Sequence, residues 1–86
     1  MDVRAGDLAA TIVRRRHGVF PEQAQRISQM SDEELIQFRR EDPISATQVE
    51  GGLSLTGGHH RTHEIALRVQ AGRLDPNITI RILLHD

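Results

Sequence analysis

The 86-residue chain reads as one small α+β domain. Three observations predict this. Residues 1–43 carry apolar residues at helical spacing with cap residues between them, as at Leu8 and Ile12. Residues 44–86 carry β-formers, and Ile78, Ile80, Ile82 and Leu84 alternate with Thr79, Arg81, Leu83 and His85. Between the two strand patterns of this second half stand a glycine pair, a polar cluster and an amphipathic stretch, Gly57 to Val69. A single domain of residues 1–86 is expected, with N-terminal helices packed on a small mixed sheet.

Asp7 to His17 is a predicted helix that Asp7 caps or favours at its start. Leu8, Ile12 and Val13 mark its inner face, with Gly18 as its C-cap. The Arg14–Arg16 run is either a solvated helix end or a patch facing phosphate. Pro21 suits a first helical position, and Pro21 to Met30 reads as a second helix with Ala24, Ile27 and Met30 inward. Ser31 and Glu34 fit a capping box that opens a third helix, running to about Arg40 and burying Leu35, Ile36 and Phe38 in part. Asp42-Pro43 ends it, because a residue before proline avoids the helical region. The acidic run Asp32 to Glu34 is ordinary helix-start chemistry.

Ile44 to Glu50 reads as a strand, Gly51-Gly52 as a two-residue hairpin turn, and Leu53 to Thr56 as the returning strand. A turn over Gly57–Arg61 and a helix from about Thr62 to Ala71 follow, with Gly72 as C-cap. Asp75-Pro76-Asn77 is a turn before the last strand. Strand, helix and strand together resemble a βαβ unit, right-handed if the strands are parallel.

Composition narrows the chemistry. There is no cysteine, which excludes disulfides, thiolate metal sites and cysteine nucleophiles. All eleven basic residues are arginine, which excludes lysine-based phosphate loops and Schiff bases. With two Phe and no Trp or Tyr, the core is aliphatic. A net charge of −1 confines any attraction to phosphate to a local patch. No run approaches the length of a membrane span and no signal peptide is visible, so a soluble domain is expected.

The chemistry-bearing residues collect in Gly57-Gly58-His59-His60-Arg61-Thr62-His63-Glu64. Three readings compete. His59 and His63 stand four apart beside Glu64, as zinc-sharing imidazoles do on a helix, although no zinc signature matches. Alternatively, Thr56, Gly57 and Gly58 let backbone N–H groups face a phosphate. Arg61 then grips its oxygens, and His59 or His60 moves a proton. The third reading is structural, with histidines as turn residues and Arg61 paired to Glu64. The density of polar groups favours the phosphate reading, with His63 and Glu64 in support. His17 and His85 read as structural or solvent-exposed.

Across residues 44 to 86 the sequence resembles the ParB/sulfiredoxin superfamily, through Leu53-Ser-Leu-Thr-Gly-Gly-His-His-Arg61, the helix after it and the strand Ile78 to Leu84. Residues 1–43 show no counterpart to the early strand of that family. The resemblance implies a fold in which Gly58, His59, His60 and Arg61 contact phosphate, and activities on nucleotides or nucleic acid. Sulfinic-acid reduction is excluded, since its cysteine is missing. Chromosome partitioning is not expected, because the further domains it needs are not in this chain. The form of the domain, ending at His85-Asp86, also resembles the C-terminal toxin domains of bacterial polymorphic toxins. A ParB-like nuclease delivered within a larger secreted effector, with an immunity protein as partner, is the resulting expectation. The alternatives are a nucleotide hydrolase or phosphotransferase of ATPase, CTPase or kinase type, and a non-catalytic nucleotide- or protein-binding module. The cofactor is open, with a divalent metal as a candidate.

Overall fold

The computed structural model describes residues 1–85; Asp86 lies outside the described residues. Strand β1 (Asp2–Arg4) leads through a 3-10 turn, Ala5–Asp7, into the single-turn helix α1 (Leu8–Thr11) and strand β2 (Ile12–Arg15). Helices α2 (Pro21–Ser28) and α3 (Asp32–Ile36) follow. Strands β3 (Ser45–Val49) and β4 (Gly52–Gly57) form a hairpin, and helix α4 (His59–Gln70) leads to strands β5 (Thr79–Arg81) and β6 (Leu83–His85). The main sheet has the order β2-β4-β3-β6, and β1 pairs with β5 in a separate two-stranded ribbon. The α+β class therefore holds.

The helix expected over Asp7 to His17 is a correction. Only Leu8–Thr11 is helical, and Ile12–Arg15 runs parallel to β4 as an edge strand. Leu8 and Ile12 are both buried, so the spacing is met by one helical turn followed by a strand. The β-branched pair Ile12-Val13 suits the sheet, and tertiary pairing overrides local helical preference. Asp7 makes no side-chain cap.

The third helix also stops early, at Ile36 rather than Arg40, although its Ser31–Glu34 capping box is formed. Its end has a clear cause: Gln37 turns to extended backbone, and the carbonyls of Leu35 and Gln37 accept hydrogen bonds from Arg61 instead of continuing the helix. The hairpin loop is Glu50-Gly51, one residue earlier than expected, because Val49 pairs with Gly52 inside the ladder. Gly52 is required there for a different reason: a Cβ would collide with the Thr11 carbonyl, at the junction of α1 and β2.

The C-terminal alternation holds, with Ile80 and Ile82 buried and Thr79, Arg81, Leu83 and His85 exposed. The run divides at Ile82. Thr79–Arg81 pairs antiparallel with β1, and Leu83–His85 pairs parallel with β3. Strands β4 and β6 are thus separated by β3 and run in opposite directions, so β4–α4–β6 is not a parallel βαβ unit. The core is aliphatic as composition requires, built from Leu8, Leu35, Leu53, Leu55, Ile65, Ile80 and Ile82 with their neighbours. Ile27 and Met30 pack partly buried at its margin. Glycine in the left-handed region at Gly72 terminates α4.

Candidate phosphate-binding site

Helix α4 starts three residues before the expected Thr62, so His59, His60 and Arg61 form its first turn. Its N-cap is Gly58, at φ 78°, and no side chain caps the helix. An N-cap glycine leaves the first-turn N–H groups without an intrahelical or side-chain acceptor, at the positive end of the helix dipole. Gly58 is needed on two counts. Its φ is left-handed, and a Cβ would lie 2.8 Å from Ile44 Cγ1 and 3.0 Å from Ile44 Cα. Gly57 is needed because a Cβ would meet Ser45 Oγ at 2.7 Å. The glycine pair thus seats the strand-to-helix turn tightly on β3.

An open pocket of about 370 Å³ lies at this helix end. Thr56, Gly57, Gly58, His59, His60 and Arg61 are part of its lining. His17, Phe20, Gln23, Arg26, Ile27 and Asp42 line the rest. Thr56 turns its hydroxyl to Ser45 Oγ at 2.9 Å. His63 and Glu64 are not part of the lining. Glu64 is instead bonded to Arg68 at 2.8 Å, so the Arg61–Glu64 pair suggested by spacing does not form.

His59 and His60 are mostly buried, and each is fixed by a backbone donor. The Arg16 N–H donates to His59 Nε2 at 3.1 Å, and the Phe20 N–H donates to His60 Nε2 at 3.0 Å. An imidazole nitrogen that accepts carries no proton, so both rings are neutral with the proton on Nδ1. Burial lowers the pKa of His59, and His17, Arg15, His60 and Arg16 lower it further. Burial also lowers that of His60, with His17 and His63 adding to the effect.

His17 belongs to this site, contrary to its expected isolation. Its ring stacks on His59 with centroids 4.0 Å apart and on Phe20 at 4.9 Å, and it lies 5.8 Å from His60. The exposed Phe20 ring completes a four-ring cluster, 5.7 Å from His60. Neither residue carried a local signal, because the partners lie some forty positions on in the chain. The weak clue was His17-Gly18 and Phe20-Pro21, a histidine and an aromatic residue in a short connection.

Arg61 is not the free phosphate ligand that its motif suggested. The residue is 4% exposed. Its guanidinium donates to Leu35 O at 3.2 and 2.8 Å, Gln37 O at 2.6 Å and Asp42 O at 3.2 Å. Four of its five N–H donors are thereby engaged, and its main role is to tie α4 to α3 and the following loop. Burial, then Arg39, push its pKa down, and Asp42 acts against them. Positive charge at the site comes more freely from elsewhere. Arg26 lines the pocket, and exposed Arg15 and Arg16 lie close enough to act on His59. Arg15 also donates to Thr62 Oγ1 at 3.3 Å. In the Arg14–Arg16 run, Arg14 and Arg15 thus close the edge strand β2 and Arg16 opens the bend after it, with Arg15 and Arg16 beside the pocket.

Among the described residues, no group of three or more His, Cys, Asp or Glu side chains is placed to hold a metal ion. The Nε2 lone pairs of His59 and His60 are already committed to backbone donors, so these two rings do not fit a metal through Nε2. Also among the described residues, no helix is long and apolar enough to cross a membrane. Fold and site define a small α+β domain with a helix amino end that no side chain caps, inside an imidazole-lined pocket. Comparison with protein-family models, with curated proteins and with solved structures gives no match to this chain.

Proposed function

We propose that the domain is a phosphate-ester hydrolase that binds its phosphoryl group at the amino end of α4. The observation that carries this is the joining, in one pocket, of an uncapped helix N-terminus with three imidazoles and Arg26. First-turn N–H groups and a helix dipole favour an anion, and they are fixed before any ligand arrives. His59 and His60 retain an Nδ1–H each, a neutral donor suited to phosphoryl oxygens. Asp42 is the one carboxylate of the lining, against Arg26 and Arg61.

Nucleic acid is the proposed substrate. Arg15 and Arg16 extend positive charge from the pocket along the exposed β2 edge, which suits a polymer of phosphates better than a single one. The domain then acts as a ParB-like nuclease and bacterial toxin module, with an immunity protein as its partner. Induced expression in a bacterium, followed by inspection of DNA and RNA integrity, tests this. Arrested growth with one polymer degraded supports it, and intact DNA and RNA in growing cells overturn it. A second reading, hydrolysis or phosphotransfer on a mononucleotide, is favoured by the pocket volume, which is that of a small-molecule site. Phosphate release from ATP or CTP, with polymers untouched, would select it. Tight nucleotide binding without turnover would select a non-catalytic module.

A further inference from the structure

We infer that His17, through Nε2, takes the proton from the attacking oxygen, and that His59 and His60 do not. This rests on the phosphate-ester reading of the same pocket. A neutral imidazole has one donor nitrogen and one acceptor nitrogen. In His59 and His60 the acceptor is Nε2, already occupied by the Arg16 and Phe20 N–H groups. Neither ring has a lone pair left without giving up its anchor. His17 has the opposite arrangement. Its Nδ1 lies 2.7 Å from the Gly18 carbonyl, which can only accept, so Nδ1 carries the proton and Nε2 the lone pair. Among the described residues no group bonds that Nε2, and His17 is exposed at the pocket wall.

The ring is also oriented. Stacking at 4.0 Å on His59 and 4.9 Å on Phe20 sets its plane, and the Gly18 carbonyl sets its rotation. His59 and His60 face it as neutral rings, and Arg15 and Arg16 are the cations nearest the His59 side. In the step itself, Nε2 of His17 removes a proton from water as the water oxygen bonds to phosphorus. The ester P–O bond breaks, and the departing oxygen takes a proton from solvent. The imidazolium then returns its proton to solvent, so one water is consumed and no other reactant is needed.

His17→Phe and His17→Ala test this beside wild type, with bis(p-nitrophenyl) phosphate, mixed-sequence RNA and single-stranded DNA as substrates. His17→Phe keeps a ring to stack on His59 but has no nitrogen. The expected result is wild-type melting with kcat lower by about 100-fold or more. His17→Ala is expected to lose activity likewise and to regain part of it in imidazole buffer, which a packing role would not allow. Wild-type turnover in His17→Phe, or no imidazole rescue of His17→Ala, overturns the inference. In parallel, inorganic phosphate is titrated while the His59, His60 and Arg61 amide resonances are followed. Shifts and turnover in wild type, with turnover undiminished in His17→Phe, keep the phosphate-ester reading and fail the inference alone; shifts without turnover by wild type overturn hydrolysis and the inference together and leave only phosphate binding. Absence of both shifts and turnover overturns both.

Discussion

Arg61 spends its charge on three main-chain carbonyls, those of Leu35, Gln37 and Asp42, which otherwise would be short of donors at the end of a helix and in a loop. Arg61→Ala is therefore expected to destabilise the fold by about 2–4 kcal/mol, read by urea denaturation. Loss of activity in that variant would follow from unfolding and would not mark a ligand contact. Lysine does not rescue, since one ammonium cannot span the three acceptors as a planar fork does. Gly58→Ala is expected to cost about 1–3 kcal/mol, because the left-handed φ and the approach to Ile44 act together. His59 and His60 impose a pH dependence. Their pKa values are lowered by folding, so the unfolded chain binds more protons as pH falls. Stability is expected to be full above about pH 6.5, the unfolded value, and to fall as pH drops through the folded values. A series of denaturation midpoints against pH checks this, and His59→Asn with His60→Asn should flatten it. At this scale the sequence was partly legible. Gly-Gly-His-His-Arg announced a special turn, but the carbonyls that Arg61 serves lie 19 to 26 residues away and have no sequence signature.

Helix α4 is held at both ends by arginines used in the same way. Near its C-terminal end, Arg68 bonds Glu64 at 2.8 Å and Asp32 at 2.7 Å, and donates to the carbonyls of Ser28 and Met30 at 3.2 and 2.7 Å. This ties α4 to the end of α2 and the start of α3. Burial alone would lower the Arg68 pKa, but the bonds from Glu64 and Asp32 outweigh it and raise it. The two carboxylates are unequal: the Asp32 side chain is 49% exposed and that of Glu64 11%. Glu64→Ala is thus expected to cost about 3–5 kcal/mol and Asp32→Ala about 1 kcal/mol or less, by the same denaturation assay. The capping box of α3 and the glycine stop of α4 were readable because their causes are local. The β2 strand was not, because Leu8 and Ile12 satisfy a helical period equally well and only the β4 edge decides between the two.

Taken whole, the domain builds the four-ring wall of its pocket from two chain segments far apart in sequence. One, residues 16–20, is a connection with little structure of its own; the other is the first turn of α4. The Arg16 and Phe20 amides are expected to exchange slowly with solvent at neutral pH, and each to lose protection when its histidine is replaced by alanine, as read by hydrogen exchange. The aliphatic core and the α+β class were legible in composition and alternation, whereas the convergence of these segments was not. It also has a consequence in time. During synthesis the 16–20 segment leaves the ribosome some forty residues before His59 and His60, a delay of about 2–8 s at about 5–20 residues per second. Until then, the Arg16 and Phe20 amides have no imidazole to meet, and His17 has no ring to rest on. A nascent chain is thus without this cluster of rings until α4 has been made, and the moment at which the pocket forms is set by translation itself.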